Sequence, residues 1–409
     1  MVIMAKTIAI LGALDTKGAE YNFVKECIES RGFKTFIIDI GILERPFIKP
    51  DVGREKIAKA GGANIDELVS KKDRGTAMQV MSKGIASVLP KLYEEGKFDG
   101  VISLGGTGGT SVACSGMRQL PLGVPKVMVS TVAGTDVSGF VGVKDIVMIP
   151  SIVDVAGINK ISRQVFSRAA GAICGMVDVE IPKAEDRPLI AASMFGNTTP
   201  AVNEAAKILE REGFEVLVFH CTGTGGRTME SLVEAGLISG VLDITTTEWA
   251  DEFVGGVFTA GPARLEAAAK SGVPAIVVPG CLDMVNFNAP QTVPEKFKSR
   301  KFYQHNPNVT LMRTNIEENK CIGEIIAKKL NGSKDTVTLL IPLKGVSMID
   351  SPGGAFWWPE ADGALYKSLK QNLRPDIKVI EMDNNINDEE FARRCAEELL
   401  KNIRAVKAK

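Results

Sequence analysis

Four glycines stand within nine positions in Ser103-Leu104-Gly105-Gly106-Thr107-Gly108-Gly109-Thr110-Ser111, directly after an apolar run over 100–104. Glycine admits positive φ and close backbone approach, so successive N–H groups can converge on an anion, and a following helix adds the positive end of its dipole. The hydroxyls of Thr107, Thr110 and Ser111 would serve phosphate oxygens or a metal ion. The segment matches neither named phosphate loop: no Lys-Ser/Thr pair follows, as G-x-x-x-x-G-K-[ST] requires, and GGTGGT lacks the G-x-G-x-x-G spacing. It reads equally as a tight turn from strand to helix.

Other residues gather at predicted strand ends. In Gly12-Ala13-Leu14-Asp15-Thr16-Lys17-Gly18, Lys17 is placed to neutralise a phosphate, while Asp15 or Thr16 would cap a helix or hold a magnesium-bound water. Asp39 ends the next strand, near the interval of roughly 20 residues at which doubly wound nucleotide folds put an acid on a ribose hydroxyl; a simple turn role is the alternative. Arg74 follows Asp73 at a helix start, as a phosphate clamp or a surface charge. Ser130 and Thr131 end a further strand on the same predicted edge. Asp15, Thr16, Lys17, Asp39, Arg74, Gly105, Gly106, Thr107, Gly108, Gly109, Thr110, Ser130 and Thr131 thus form the expected nucleotide set.

The second half has its own glycine loop, His220-Cys221-Thr222-Gly223-Thr224-Gly225-Gly226-Arg227. With polar loops near 197–199, 245–248, 280–283 and 344–347, it is expected to hold a small anionic substrate. Arg227 and His305 are the candidate catalytic groups; His220, read as ending a buried strand, is a weaker one. A Ser-His-Asp hydrolase is disfavoured because no G-x-S-x-G elbow occurs. The seven cysteines lie far apart without a C-x-x-C pair or a histidine at zinc-finger spacing, as expected of buried thiols in a reducing compartment.

The elements that would position these residues alternate. Apolar strand runs at 7–11 and 34–39 flank a helix over 18–31, and Met78, Met81, Ile85, Val88, Leu89 and Leu92 mark one face of a helix over 73–95. Strands follow near 126–129 and 146–149, then a helix over 153–177. After a polar segment, 181–188, the pattern restarts: ESRGFKTFIID in the first half resembles LEREGFEVLVF in the second. The segment 281–310 shows little periodicity and is read as functional or interfacial. The fold class is α/β, two tandem Rossmann-like doubly wound domains with mainly parallel sheets, 1–183 and 184–409.

Composition narrows the partners. The 49 basic residues balance 49 acidic ones, so no net field would draw the 409-residue chain to nucleic acid or a membrane surface. The N-terminal apolar stretch is broken by Asp15 and Lys17 and carries no cleavage site, which places the protein in the cytoplasm by expectation.

Along nearly its whole length the chain resembles a known family. ILGALDTKGAEY, SLGGTGGTS, PKVMVSTVAGTDV, MFGNTTPAV, HCTGTGGRTMESLV, CLDMVNFNAPQTVPEKF and FYQHNPNVTLMRT are similar to the ATP-binding region of the tomato mosaic virus resistance protein family and its bacterial and archaeal relatives. That resemblance implies two Rossmann-like domains in tandem, with ATP on the N-terminal one. Plant members carry a further barrel domain, whose chemistry is not carried over. The expectation is therefore a homo-oligomeric ATP-binding protein, with Mg as the nucleotide's companion and a small anionic substrate in the interdomain cleft for phosphoryl or nucleotidyl transfer. The alternative is a non-catalytic ATP-responsive module controlling oligomer or partner binding.

Overall fold

The opening run Thr-Ile-Ala-Ile-Leu-Gly is apolar without alternation, as a strand covered on both faces must be, and it forms β1 (Thr7–Gly12). The computed structural model describes residues 5–334 and 337–407, and the chain divides into two compact units, Met1–Lys183 and Ala184–Lys409. Each is an α/β unit built on a doubly wound, Rossmann-like parallel sheet.

The N-terminal unit continues with α1 (Gly18–Glu29), β2 (Lys34–Asp39), α2 (Arg54–Gly61), α3 (Ile65–Lys71), α4 (Arg74–Glu94), β3 (Gly100–Gly105), α5 (Thr107–Met117), β4 (Lys126–Ser130), α6 (Ser138–Val141), β5 (Val147–Pro150) and α7 (Lys160–Asp178). Its strands pair in the order β2-β1-β3-β4-β5, all parallel. Successive residues of β1 serve opposite faces: Ile8 and Ile10 pack with Tyr21, Val24, Phe166 and Ile173 of α1 and α7. Ala9 and Leu11 pack with Met81, Ile85, Leu89 and Val112 of α4 and α5. Removing these side chains from water is the main drive for the layered fold.

The C-terminal unit runs through β6 (Leu189–Met194), α8 (Thr199–Arg211), β7 (Glu215–His220), α9 (Thr224–Glu234), β8 (Ile238–Thr245), α10 (Glu248–Val254), α11 (Ala267–Ser271), β9 (Ala275–Gly280), β10 (Met284–Phe287), β11 (Phe302–Asn306), β12 (Val309–Arg313), α12 (Ile316–Leu330), β13 (Val337–Pro342), α13 (Pro359–Asn372), β14 (Lys378–Met382) and α14 (Glu389–Lys407). Its main sheet, β14-β13-β9-β8-β6-β7, is again all parallel. Counted from its own first strand, it has the order of the N-terminal sheet with one strand added. In both sheets the first strand lies between the second and third, so the connections part company there and leave a crevice at the carboxyl ends.

Four local differences from the sequence reading have physical causes. The second glycine pair, Gly108-Gly109, does not lie in a loop, because α5 begins at Thr107: the Thr110 N–H and hydroxyl both reach the Gly106 carbonyl, at 2.9 Å each. α7 starts at Lys160, not 153, where Asn159 and Ser162 close a reciprocal capping box. The short, charged α2 and α3 carry too narrow an apolar face to announce themselves. Segment 281–310 contributes to a three-stranded antiparallel sheet, β10-β12-β11, with the exposed β11 at its edge.

Candidate functional site

At the β1/β3 crevice of the N-terminal unit lies a cavity of about 890 Å³. That is within the roughly 300–1,000 Å³ of small-molecule and cofactor sites. Ala13, Asp15, Thr16 and Lys17 line it from the turn after β1, and Ile40, Ile42, Leu43 and Glu44 from the segment after β2. Leu68, Val69, Lys72, Asp73, Arg74, Ala77 and Met78 come from α3, α4 and the link between them; Gly105 to Gly109 come from the start of α5, with Asp154 beyond β5.

The start of α5 is the most distinctive wall. Its N-cap is Gly106, which supplies no side-chain acceptor. The N–H groups of Thr107, Gly108 and Gly109 precede the first intrahelical bond and have no intrahelical partner, so they present a donor cluster at the positive end of the helix. Gly105 is needed for close approach: a Cβ there would stand 3.2 Å from the Gly109 Cα. Over Gly108 stands the guanidinium of Arg74, with Nη2 at 3.4 Å from where a Cβ would be. Arg74 is held there as the first residue of α4, whose cap Asp73 accepts from the Thr76 N–H at 3.1 Å and the Thr76 hydroxyl at 2.6 Å.

Lys17, half-buried at the N-cap of α1, donates its ammonium to the Val155 carbonyl. Both Asp15 oxygens are engaged: Oδ1 accepts from Thr16 N–H at 2.8 Å, and Oδ2 from Leu43 N–H at 2.7 Å and Glu44 N–H at 3.4 Å. Asp15 therefore ties the turn after β1 to the segment after β2. Thr16 is exposed on the rim.

Four members of the expected set do not line the cavity. Asp39 is completely buried, its Oδ1 accepting from Leu14 N–H at 3.3 Å and Gly41 N–H at 2.8 Å; burial pushes its carboxyl up against these bonds. Thr110 and Ser130 are buried and joined through their hydroxyls at 2.6 Å, clamping α5 to β4. Thr131 uses its N–H on the Gly105 carbonyl at 3.2 Å, bracing the same corner.

Sequence reasoning missed Tyr21. Pairing of β1 with β3 ends at Leu11 and Ser103. The next residue, Leu104, gives its N–H to the Tyr21 hydroxyl at 3.1 Å and accepts the phenol proton at its carbonyl. The phenol thus replaces a rung of the ladder where the two strands part, and Gly12 leaves space for its ring. Burial raises its pKa to about 12, so it remains a neutral donor. The available signal was a tyrosine among Val24 and Ile28 on the inward face of α1.

The second glycine loop is already filled. The α9 N-terminus, capped by Gly223 at φ 81°, directs the N–H groups of Gly223 and Gly226 onto Oε1 of Glu248, at 2.8 and 3.1 Å. Oε2 of Glu248 accepts from Arg264 Nε at 2.7 Å, and Arg264 also forks onto Asp243 at 2.6 Å twice and reaches Glu230 at 3.1 Å. Burial pushes the carboxyls of Glu248 and Glu230 up, opposed by Arg264. A resident carboxylate therefore stands where the sequence reading put a substrate anion. Arg227 is exposed and bonds Thr259 O and Thr224 Oγ1, both at 3.3 Å. His305 lies exposed on β11, with no hydrogen bond to Arg227 among the described residues. His220 ends an edge strand in solvent, not a buried one.

Further buried acids crowd this unit. Asp283, Asp350 and Asp362 surround Arg313, which donates to Asp362 at 2.6 Å and stands 3.6 Å from Asp350; burial drives all three carboxyls upward. Asp251 accepts from Asn286 N–H and Phe258 N–H, both at 2.7 Å, yet burial pushes it up to about 7. Among the described residues no group of three or more His, Cys, Asp or Glu is arranged to hold a metal ion. No described helix is long and apolar enough to cross a membrane.

The whole chain falls into one sequence family. Residues 6–182 match the N-terminal domain of the uncharacterised protein family UPF0261, and residues 187–403 match its C-terminal domain. The chain belongs to this family. A UPF0261 protein of Clostridium tetani is 53% identical over 97% of this chain and 99% of its own length. The UPF0261 protein RA0729 of Rhizobium meliloti is 45% identical over 95% and 96%. The ToMV resistance protein Tm-1(GCR237) of Solanum lycopersicum is 43% identical over 80% of this chain, an alignment spanning 44% of the tomato protein. Kinship to the UPF0261 proteins thus extends over both units.

Proposed function

We propose that the N-terminal unit binds ATP as its magnesium complex, with the phosphates on the first turn of α5. One observation carries this reading: an uncapped helix start built from Gly106, Thr107, Gly108 and Gly109 opens into the β1/β3 cavity with the Arg74 guanidinium over it. Free N–H groups, helix dipole and a fork-shaped cation are together complementary to a phosphate. Lys17, on the turn after β1, brings a second positive charge to the same cavity. The magnesium ion travels with the phosphates and keeps most of its waters, as it commonly does.

Titration calorimetry with MgATP tests this. Arg74→Ala removes a charge-assisted bond, for which roughly a tenfold or larger loss of affinity is expected. Gly106→Val crowds the first turn; its φ of −78° suits any residue, and a Cβ would meet nothing nearer than Thr131 Oγ1 at 3.7 Å. The variants should therefore fold, as circular dichroism checks. Undiminished binding in folded variants refutes the site.

For what ATP binding accomplishes, the filled α9 start favours the responsive module over transfer to a small anion seated at Gly223 to Arg227. In that reading ATP alters the mass of a cytoplasmic homo-oligomer without being consumed. Light scattering with and without MgATP, beside an assay for released ADP, separates the two: turnover with unchanged mass restores the transferase.

A further inference from the structure

In doubly wound nucleotide domains the acid at the end of the second strand accepts from ribose hydroxyls. Asp39 holds that place in the chain but not that role. Its side chain is fully buried, Oδ1 is committed to the amides of Leu14 and Gly41, Oδ2 is enclosed without a partner, and the residue is absent from the cavity wall. What the segment after β2 presents to the cavity instead is Ile40, Ile42 and Leu43, continued by Leu68, Val69 and Met78.

Most of the remaining carboxylate oxygens on the wall are engaged by the chain itself. Asp15 has both oxygens on backbone amides, Asp73 has both on Thr76, and Asp154 holds the Val155 N–H at 2.8 Å. Glu44 is exposed to solvent, so a ribose hydroxyl there would only replace water. The donors suited to an anion gather at the other wall, on α5 and Arg74.

We propose that this cavity recognises a nucleotide by its phosphates and its apolar bulk and is indifferent to its sugar hydroxyls, so that 2′-deoxy and 2′,3′-dideoxy nucleotides are accepted as readily as ribonucleotides. The inference rests on the nucleotide reading of the same cavity. A site that bonds a substrate hydroxyl with a buried polar group rejects the analogue lacking it by orders of magnitude, because its own group is left unpaired. An aliphatic wall does the reverse: a hydroxyl placed against it loses water without recompense, so removing the hydroxyl leaves affinity equal or better.

The experiment titrates MgATP, Mg-dATP and Mg-2′,3′-dideoxyATP into the wild-type chain and into Glu44→Gln. The three dissociation constants should agree within about threefold in both proteins, the deoxy forms being no weaker. ATP binding about tenfold or more tighter than dATP overturns the inference while leaving the nucleotide reading intact, and loss of that preference in Glu44→Gln would name the residue responsible. Absence of binding by all three nucleotides overturns the nucleotide reading, and this inference with it.

Discussion

Acidification should stabilise the C-terminal unit, and Asp251 sets the scale. In the folded chain its carboxyl titrates near 7, against 3.8 ordinarily, because burial outweighs its hydrogen bonds to Asn286 and Phe258. Between those values the folded state holds one proton that the unfolded chain has released, so stability falls as pH rises through the window and levels off above it. At a slope of about 1.4 kcal/mol per pH unit that tapers as the folded carboxyl begins to titrate, Asp251 alone accounts for roughly 2 kcal/mol between pH 5 and pH 7. Burial raises Glu230, Glu248, Asp283, Asp350 and Asp362 as well, so their contributions carry the same sign. The three tryptophans, Trp249, Trp357 and Trp358, all lie in this unit. Urea titrations followed by tryptophan emission at pH 5, 6 and 7 therefore read it selectively. The denaturation midpoint should fall with rising pH, and Asp251→Asn should flatten the dependence by about one proton, whatever it does to stability at a single pH. A midpoint that stays level or rises from pH 5 to 7, or a variant with the wild-type slope, refutes the reasoning.

Three substitutions test other parts of the structure. Tyr21→Phe removes the hydroxyl that satisfies Leu104 N–H and C=O, and should cost about 1–3 kcal/mol in the N-terminal unit; urea unfolding by far-UV circular dichroism, with tryptophan emission as reference for the other unit, would show no early loss if the phenol is dispensable. Arg264→Leu strands the buried carboxylates of Asp243 and Glu248 and the partly buried one of Glu230, and should lower the stability of the C-terminal unit by about 3–5 kcal/mol at pH 8 and by less at pH 5, a difference that tryptophan emission checks. Gly226→Ala would ordinarily strengthen a helix by up to about 1 kcal/mol, but its methyl overlaps the Glu248 carboxylate. Net destabilisation in the same assay is expected, and a gain would mean that Glu248 does not occupy the helix start.

The alternation of elements was legible because strands covered on both faces must be apolar without a break, as TIAILG and GVISLG are. The shared strand order was not, since parallel pairing joins residues far apart in sequence, as Ile8 with Gly100 shows. Of the strand-end residues singled out for a nucleotide, Asp15, Lys17, Arg74 and Gly105 to Gly109 share one cavity. Asp39 and Thr110 instead turn inward, which spacing cannot reveal. Least was legible in the C-terminal unit, where Glu248, grouped by sequence with the polar loop 245–248, and Asp251 are both buried. One signal was present: Asp243 interrupts VLDIT, and an acid inside a covered strand demands a cation, which Arg264 supplies.

The carboxylate on the α9 start carries a further consequence. A side chain that occupies a phosphate-like seat is a ligand tethered at fixed local concentration; it can be neither diluted nor consumed. This seat in the C-terminal unit is therefore occupied as soon as the unit folds, whatever the metabolic state of the cell. On the nucleotide reading proposed above, the N-terminal unit would instead gain stability with the logarithm of nucleotide concentration once that exceeds the dissociation constant. In that proposal a fall in nucleotide supply would loosen the N-terminal unit and leave the carboxylate-filled helix start of the other unit untouched.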